Sequence, residues 1–179
     1  MQSDYTKANG SRYPLRLEIR LETNGNNINF TFKIPTSKNM QPKYWSIDRL
    51  PGIMRSQVKL LEKNKITDTK ILLQLTASLE SKQALASRLQ LNQTYISKWV
   101  ALADLARLPA VGDKYCGLLL HSGIISVAQL SQMPFHRLHK QIVCLQVATL
   151  QRKDLSPPVE EVKRWVEEAK LIHNNAYQY

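Results

Sequence analysis

Leu50-Pro51-Gly52-Ile53 and Leu108-Pro109-Ala110-Val111 stand 58 positions apart, and the chain keeps step between them without a gap. Leu60-Leu61, Ile66 and Leu72 follow the first stretch; Leu118-Leu119, Ile124 and Leu130 follow the second at the same offset. A repeat that preserves apolar spacing in this way is one supersecondary unit used twice, because a single unit cannot bury its own apolar face.

Each stretch opens like a helix-hairpin-helix motif. In that motif the pattern apolar-Pro-Gly-apolar-Gly precedes a helix, and the two glycines let backbone N–H groups approach a phosphate at the helix N-terminus, where the helix dipole also favours an anion. Each unit keeps one glycine: the first has Gly52 but Met54, the second has Ala110 but Gly112. A side chain at either substituted position is expected to crowd a phosphate or distort the turn. Arg55, Lys59 and Lys63 follow the first hairpin, and Arg107 and Lys114 flank the second. Asp113, at the start of the second helix, is placed to occupy the amide site itself. The candidate nucleic-acid-binding residues are therefore Gly52, Arg55, Lys59, Arg107, Gly112 and Lys114, with Arg55 and Lys114 as the contacts that read phosphate and not base.

Around the repeat the pattern is helical. A short helix near Ser46–Leu50 leads into the first hairpin, followed by helices over Arg55–Lys63, Thr69–Thr76 and Ser81–Leu89. Asn92 caps a longer helix through Trp99 to Leu108. In the second unit, helix Asp113–His121 ends at Ser122-Gly123, Ser126 with Gln129 forms a capping box, and Pro134 opens a helix through Leu150. Ser156-Pro157-Pro158 starts a last helix whose apolar face is Val159, Val162, Trp165, Val166, Ala169 and Ile172, with Glu160 and Glu161 at its positive end.

Ahead of these helices, Leu15, Leu17, Ile19 and Leu21 alternate with charged residues, and Ile28, Phe30, Phe32 and Ile34 alternate with polar ones, about Asn24-Gly25. That dipeptide suits a type I′ turn and predicts a β-hairpin pairing Leu21 with Ile28 and Ile19 with Phe30. The expected organisation is mainly α. An N-terminal segment (1–43) carries the β-hairpin, with strands about 15–22 and 27–34. Two helix-hairpin-helix units (44–100 and 101–150) and a C-terminal helix (151–179) follow.

The net charge is +11 over 179 residues, and 43% of the residues are hydrophobic. The composition fits a globular chain and an anionic partner: nucleic acid, an acidic protein face or a membrane surface. Two cysteines without metal-like spacing, no apolar leader and no membrane-length apolar run predict a soluble cytoplasmic protein. His136 and His139 share a helix face but lack further ligands, so neither metal nor cofactor is expected. Cys116 sits where a small residue packs, and burial is the expectation. No nucleophile elbow, phosphate loop, dinucleotide fingerprint or zinc-protease motif occurs, and neither an enzyme nor a small-molecule substrate is expected.

The run Lys98-Trp99-Val100-Ala101-Leu102-Ala103-Asp104-Leu105-Ala106-Arg107-Leu108, with Val111-Gly112-Asp113-Lys114-Tyr115 and Leu118-Leu119, resembles an uncharacterised bacterial family well represented in cyanobacteria. Lys82-Gln83-Ala84-Leu85-Ala86 and Val162-Lys163-Arg164-Trp165-Val166-Glu167-Glu168-Ala169 are similar to it as well. The resemblance implies a domain of unknown function built from tandem helix-hairpin-helix units over roughly residues 47–173, and implies no activity.

Two functions follow as expectations. The first is a non-catalytic module that binds the DNA backbone without regard to sequence. The second is an adaptor or structural subunit that meets an acidic protein through the β-hairpin and the basic helical surface, with Leu15, Leu17, Ile28, Phe30, Phe32, Tyr44 and Trp45 as partner-binding residues. The sequence leaves the oligomeric state open.

Overall fold

The computed structural model describes residues 40–151 and 153–175, together with the backbone of residues 18–24 and 27–33. The chain divides into two compact units, Met1–Asn39 and Met40–Tyr179.

In the first unit, Glu18–Asn24 (β1) lies antiparallel to Asn27–Lys33 (β2). Leu21 faces Phe30 and Ile19 faces Phe32, so the expected partners, Ile28 for Leu21 and Phe30 for Ile19, are displaced by two. A slip of two residues leaves every side chain on its original face, and alternation alone therefore does not distinguish the registers. Leu15, Leu17 and Ile34 lie outside the described residues.

The second unit is helical: a 3-10 turn at Ile47–Arg49, then α1 (Arg55–Lys63), α2 (Thr69–Leu75), α3 (Leu79–Leu89), α4 (Gln93–Ala106), α5 (Gly112–His121), α6 (Val127–Gln132), α7 (Phe135–Leu150) and α8 (Val159–Asn175). The repeat seen in the sequence is also a repeat of backbone bonds. Leu50 N–H donates to Ile47 O and Leu108 N–H to Leu105 O; Ile53 N–H donates to Leu50 O and Val111 N–H to Leu108 O.

The helix ends repeat as well. After α1, Lys65 takes φ 62° and Ile66 N–H donates to Leu61 O at 2.9 Å; after α5, Gly123 takes φ 86° and Ile124 N–H donates to Leu119 O at 3.0 Å. With Lys65 N–H on Glu62 O and Gly123 N–H on Leu120 O, both ends are Schellman motifs. The next helix is capped alike in each unit: Asp68 Oδ1 accepts Ile71 N–H at 2.8 Å and Ser126 Oγ accepts Gln129 N–H at 3.1 Å.

The apolar positions that define the offset are the core. Leu50 and Leu108, Leu61 and Leu119, Ile66 and Ile124, and Leu72 and Leu130 are all buried, beside Trp99, Ile96, Leu102 and Leu105 of α4. Each such aliphatic side chain contributes roughly 1.5–3 kcal/mol on burial. α4 packs on α2, α3 and α5, while α8 lays Val162, Trp165, Val166, Ala169 and Ile172 against the second repeat, chiefly along α6 and α7.

Candidate nucleic-acid interface

The two hairpins share a hydrogen-bond pattern but spend their glycines differently. In the first, Gly52 takes φ +74° and Met54 stays extended at φ −85°. In the second, Gly112 takes φ +53°, while Ala110 is outside the left-handed region. Each retained glycine stands where the backbone needs positive φ, and each substituted residue stands where it does not. The expected distortion of the turns by Met54 and Ala110 is therefore absent, because the two turns place their left-handed residue at different steps.

The first hairpin is open. Gly52 is exposed, and a Cβ built on it would meet only the ammonium of Lys98, at 3.4 Å. Lys98 comes from α4 and is itself exposed. On α1, Arg55, Lys59 and Lys63 follow at four-residue spacing, all exposed, and so share one face. Among the described residues none of these four cations is in an ion pair. No side-chain cap closes the start of α1; Gln57 Oε1 accepts only Met54 N–H, at 3.0 Å.

The second hairpin is closed from three sides. Ala110 N–H donates to Glu168 Oε2 at 2.8 Å, a carboxylate reaching in from α8 and only 4% exposed. Glu168 Oε1 in turn lies 3.2 Å from Arg164 Nε. Gly112 is buried beneath Trp45, whose Cζ2 would lie 3.2 Å from an added Cβ. Asp113 does not occupy the amide site, contrary to the expectation from its position; it pairs with Arg49 Nη2 at 2.7 Å, which ties α5 to the 3-10 turn before the first hairpin.

The basic residues flanking this second hairpin are committed elsewhere. Arg107 Nε lies 2.8 Å from Asp104 Oδ1, and Asp104 Oδ2 accepts Val127 N–H at 2.7 Å. Lys114 is exposed over the Tyr115 ring, 4.5 Å from its centroid, and the phenol oxygen holds its ammonium pKa above the ordinary lysine value. A carboxylate at the amide, a ring over the glycine and a spent arginine leave this hairpin no room for phosphate.

Trp45 is a strut and not the free partner surface expected from its neighbourhood. Its Nε1–H donates to Ala106 O at 2.8 Å, and Lys43 and Arg49 lie over its ring at 4.1 and 4.5 Å. Its neighbour Tyr44 stays exposed. Pro51 of the first hairpin rests on Gly117 of α5, 3.2 Å from where a Cβ would stand, so the units meet hairpin to helix. Cys116 is buried and desolvation pushes its thiol up to about 11, which removes it as a nucleophile near neutrality. No group of three or more His, Cys, Asp or Glu side chains that could hold a metal occurs among the described residues.

Sequence reasoning placed Gly52, Arg55 and Lys59 in one region and missed Lys98, Arg49 and Glu168. The last three act on residues distant along the chain, and nothing local to them signals it.

The architecture of the second unit is that of a mainly helical protein. The chain belongs to the family described as a domain of unknown function, DUF4332, whose model matches residues 51–172. No curated protein and no solved structure matches it. No helix among the described residues is long and apolar enough to cross a membrane.

Proposed function

We propose that this chain is a non-catalytic nucleic-acid-binding module of the tandem helix-hairpin-helix type, in which the first hairpin touches phosphate and the second is architecture. The observation that carries this reading is the open turn at Gly52, with the Lys98 ammonium beside it and the Arg55, Lys59 and Lys63 stripe on the following helix. Positive φ at an exposed glycine lets an anion approach the backbone, and the four cations supply charge that carries no sequence information. The binding expected is sequence-independent and salt-sensitive.

The test is fluorescence anisotropy with duplex, branched and single-stranded DNA at two salt concentrations. Arg55→Glu with Lys98→Glu should abolish binding, with the helical circular dichroism unchanged. Lys114→Glu, on the sealed second hairpin, should leave affinity within about twofold and the slope of log affinity against log salt unchanged, since loss of a phosphate contact would lower that slope by about 1. Retained binding by the double variant removes the first hairpin from the mechanism.

A second reading, an adaptor that meets an acidic protein through its basic surface and N-terminal strands, is favoured by one observation. The carboxylate of Glu168 on Ala110 N–H supports a packing role for one hairpin, and a repeat retained for packing has no need of DNA. Absence of DNA binding at low salt, where nonspecific affinity is greatest, selects this reading.

A further inference from the structure

We infer that the groove between α4 and the turn joining α5 to α6 is a docking site for an acidic, amphipathic segment of a partner protein. The groove has a volume of about 750 Å³ and is open along one side, so it covers one face of its occupant. A small molecule held in a cleft is buried over most of its surface, commonly 70–90%; an open trough suits a chain that turns its other face to water or to the rest of a partner.

Its lining is aliphatic. Leu73 of α2, Val100 of α4 and Leu120 of α5 are half-buried, and Ile125 at the edge is 61% exposed. Ile125 follows the Schellman turn of the second unit, and its exposure is not required by that turn, which uses Ile124 as the buried residue. No aromatic ring lines the groove, and bases of a nucleic-acid strand would find no stacking platform in it. Aliphatic anchors of an amphipathic helix, spaced three and four residues apart, fit such a floor.

The charge is one-sided. Lys82 of α3 and Lys98 of α4 line the groove, and neither is in an ion pair among the described residues. The single carboxylate in the lining, Asp104, is already neutralised by Arg107 at 2.8 Å and accepts Val127 N–H at 2.7 Å. The hydroxyl of Ser97 adds a donor along the same wall, whereas that of Thr94 already donates to Asn92 Oδ1. Two unpaired ammonium groups beside an aliphatic floor complement carboxylates flanking aliphatic anchors. A second copy of this chain, itself at +11, would bring net charge of the same sign to the two ammonium groups.

The experiment is selection of a phage-displayed library of random 16-residue peptides on the full chain, then anisotropy with the enriched peptides. Enrichment of sequences with Glu or Asp around Leu, Ile or Val at helical spacing is expected, with affinity falling tenfold or more in Ile125→Glu and in Lys82→Glu. Ile125 is exposed and Lys82 half-buried, and circular dichroism checks that the fold persists. No enrichment, enrichment of non-acidic peptides, or equal binding to Ile125→Glu overturns the inference. So does loss of single-stranded DNA binding in Ile125→Glu and Lys82→Glu, which would make the groove part of a nucleic-acid channel. Neither variant alters Gly52, Arg55, Lys59 or Lys98, the last of which the groove shares with the first hairpin, so failure here leaves the reading of the first hairpin standing.

Discussion

Gly52 and Gly112 show how one residue type does two jobs in a repeated turn. Both have positive φ, so an alanine at either costs about 1–2 kcal/mol of backbone strain. Their surroundings differ. Around Gly52 a new methyl meets only the far end of Lys98, which swings aside; around Gly112 it meets a Trp45 ring held by a hydrogen bond to Ala106 O. Gly112→Ala should therefore lose about 1 kcal/mol more than Gly52→Ala, from overpacking on top of strain. Urea denaturation of the two variants measures it, and equal losses would mean that the indole yields freely. The sequence announced that each hairpin had lost a glycine. It did not tell which step of each turn goes left-handed, because that depends on how the next helix starts: α1 at Arg55, α5 one step earlier in the repeat at Gly112.

At the scale of the element, the repeat was legible because its signals are local. Leucine and isoleucine spacing, Ser126 as a cap, and Gly123 at a helix end are short-range features, and the helices form where they say. The same logic exposes a flaw in the first unit. Lys65 occupies the left-handed position that glycine holds in the second, at φ 62°. Lys65→Gly should relieve that strain and stabilise the protein by about 1 kcal/mol, seen as a rise in Tm. A fall would mean that the greater freedom of glycine in the unfolded chain outweighs the relief. What local signals could not reach is the contact between elements. Trp45 looked exposed from its place beside a proline connector, yet it packs on the second hairpin. Glu168 lies outside the apolar face that the sequence assigns to the last helix, yet it is buried on a backbone amide.

At the scale of the whole molecule, residues 40–179 form a unit with its own core, from Ile47 near its start to Ile172 near its end. Expressed alone, that segment should remain helical and unfold in one cooperative transition by circular dichroism. A broad, non-cooperative melt would show that the N-terminal strands complete the core.

The contact that seals the second hairpin has a consequence in time. Ala110 and its carboxylate partner are 58 residues apart. A chain synthesised at about 5–20 residues per second lays down the turn roughly 3–12 s before Glu168 exists. For that interval the Ala110 amide lacks its carboxylate partner, although the ring that covers Gly112 belongs to Trp45, which is made earlier. The last of the three covers on the second hairpin is thus also the last to be made.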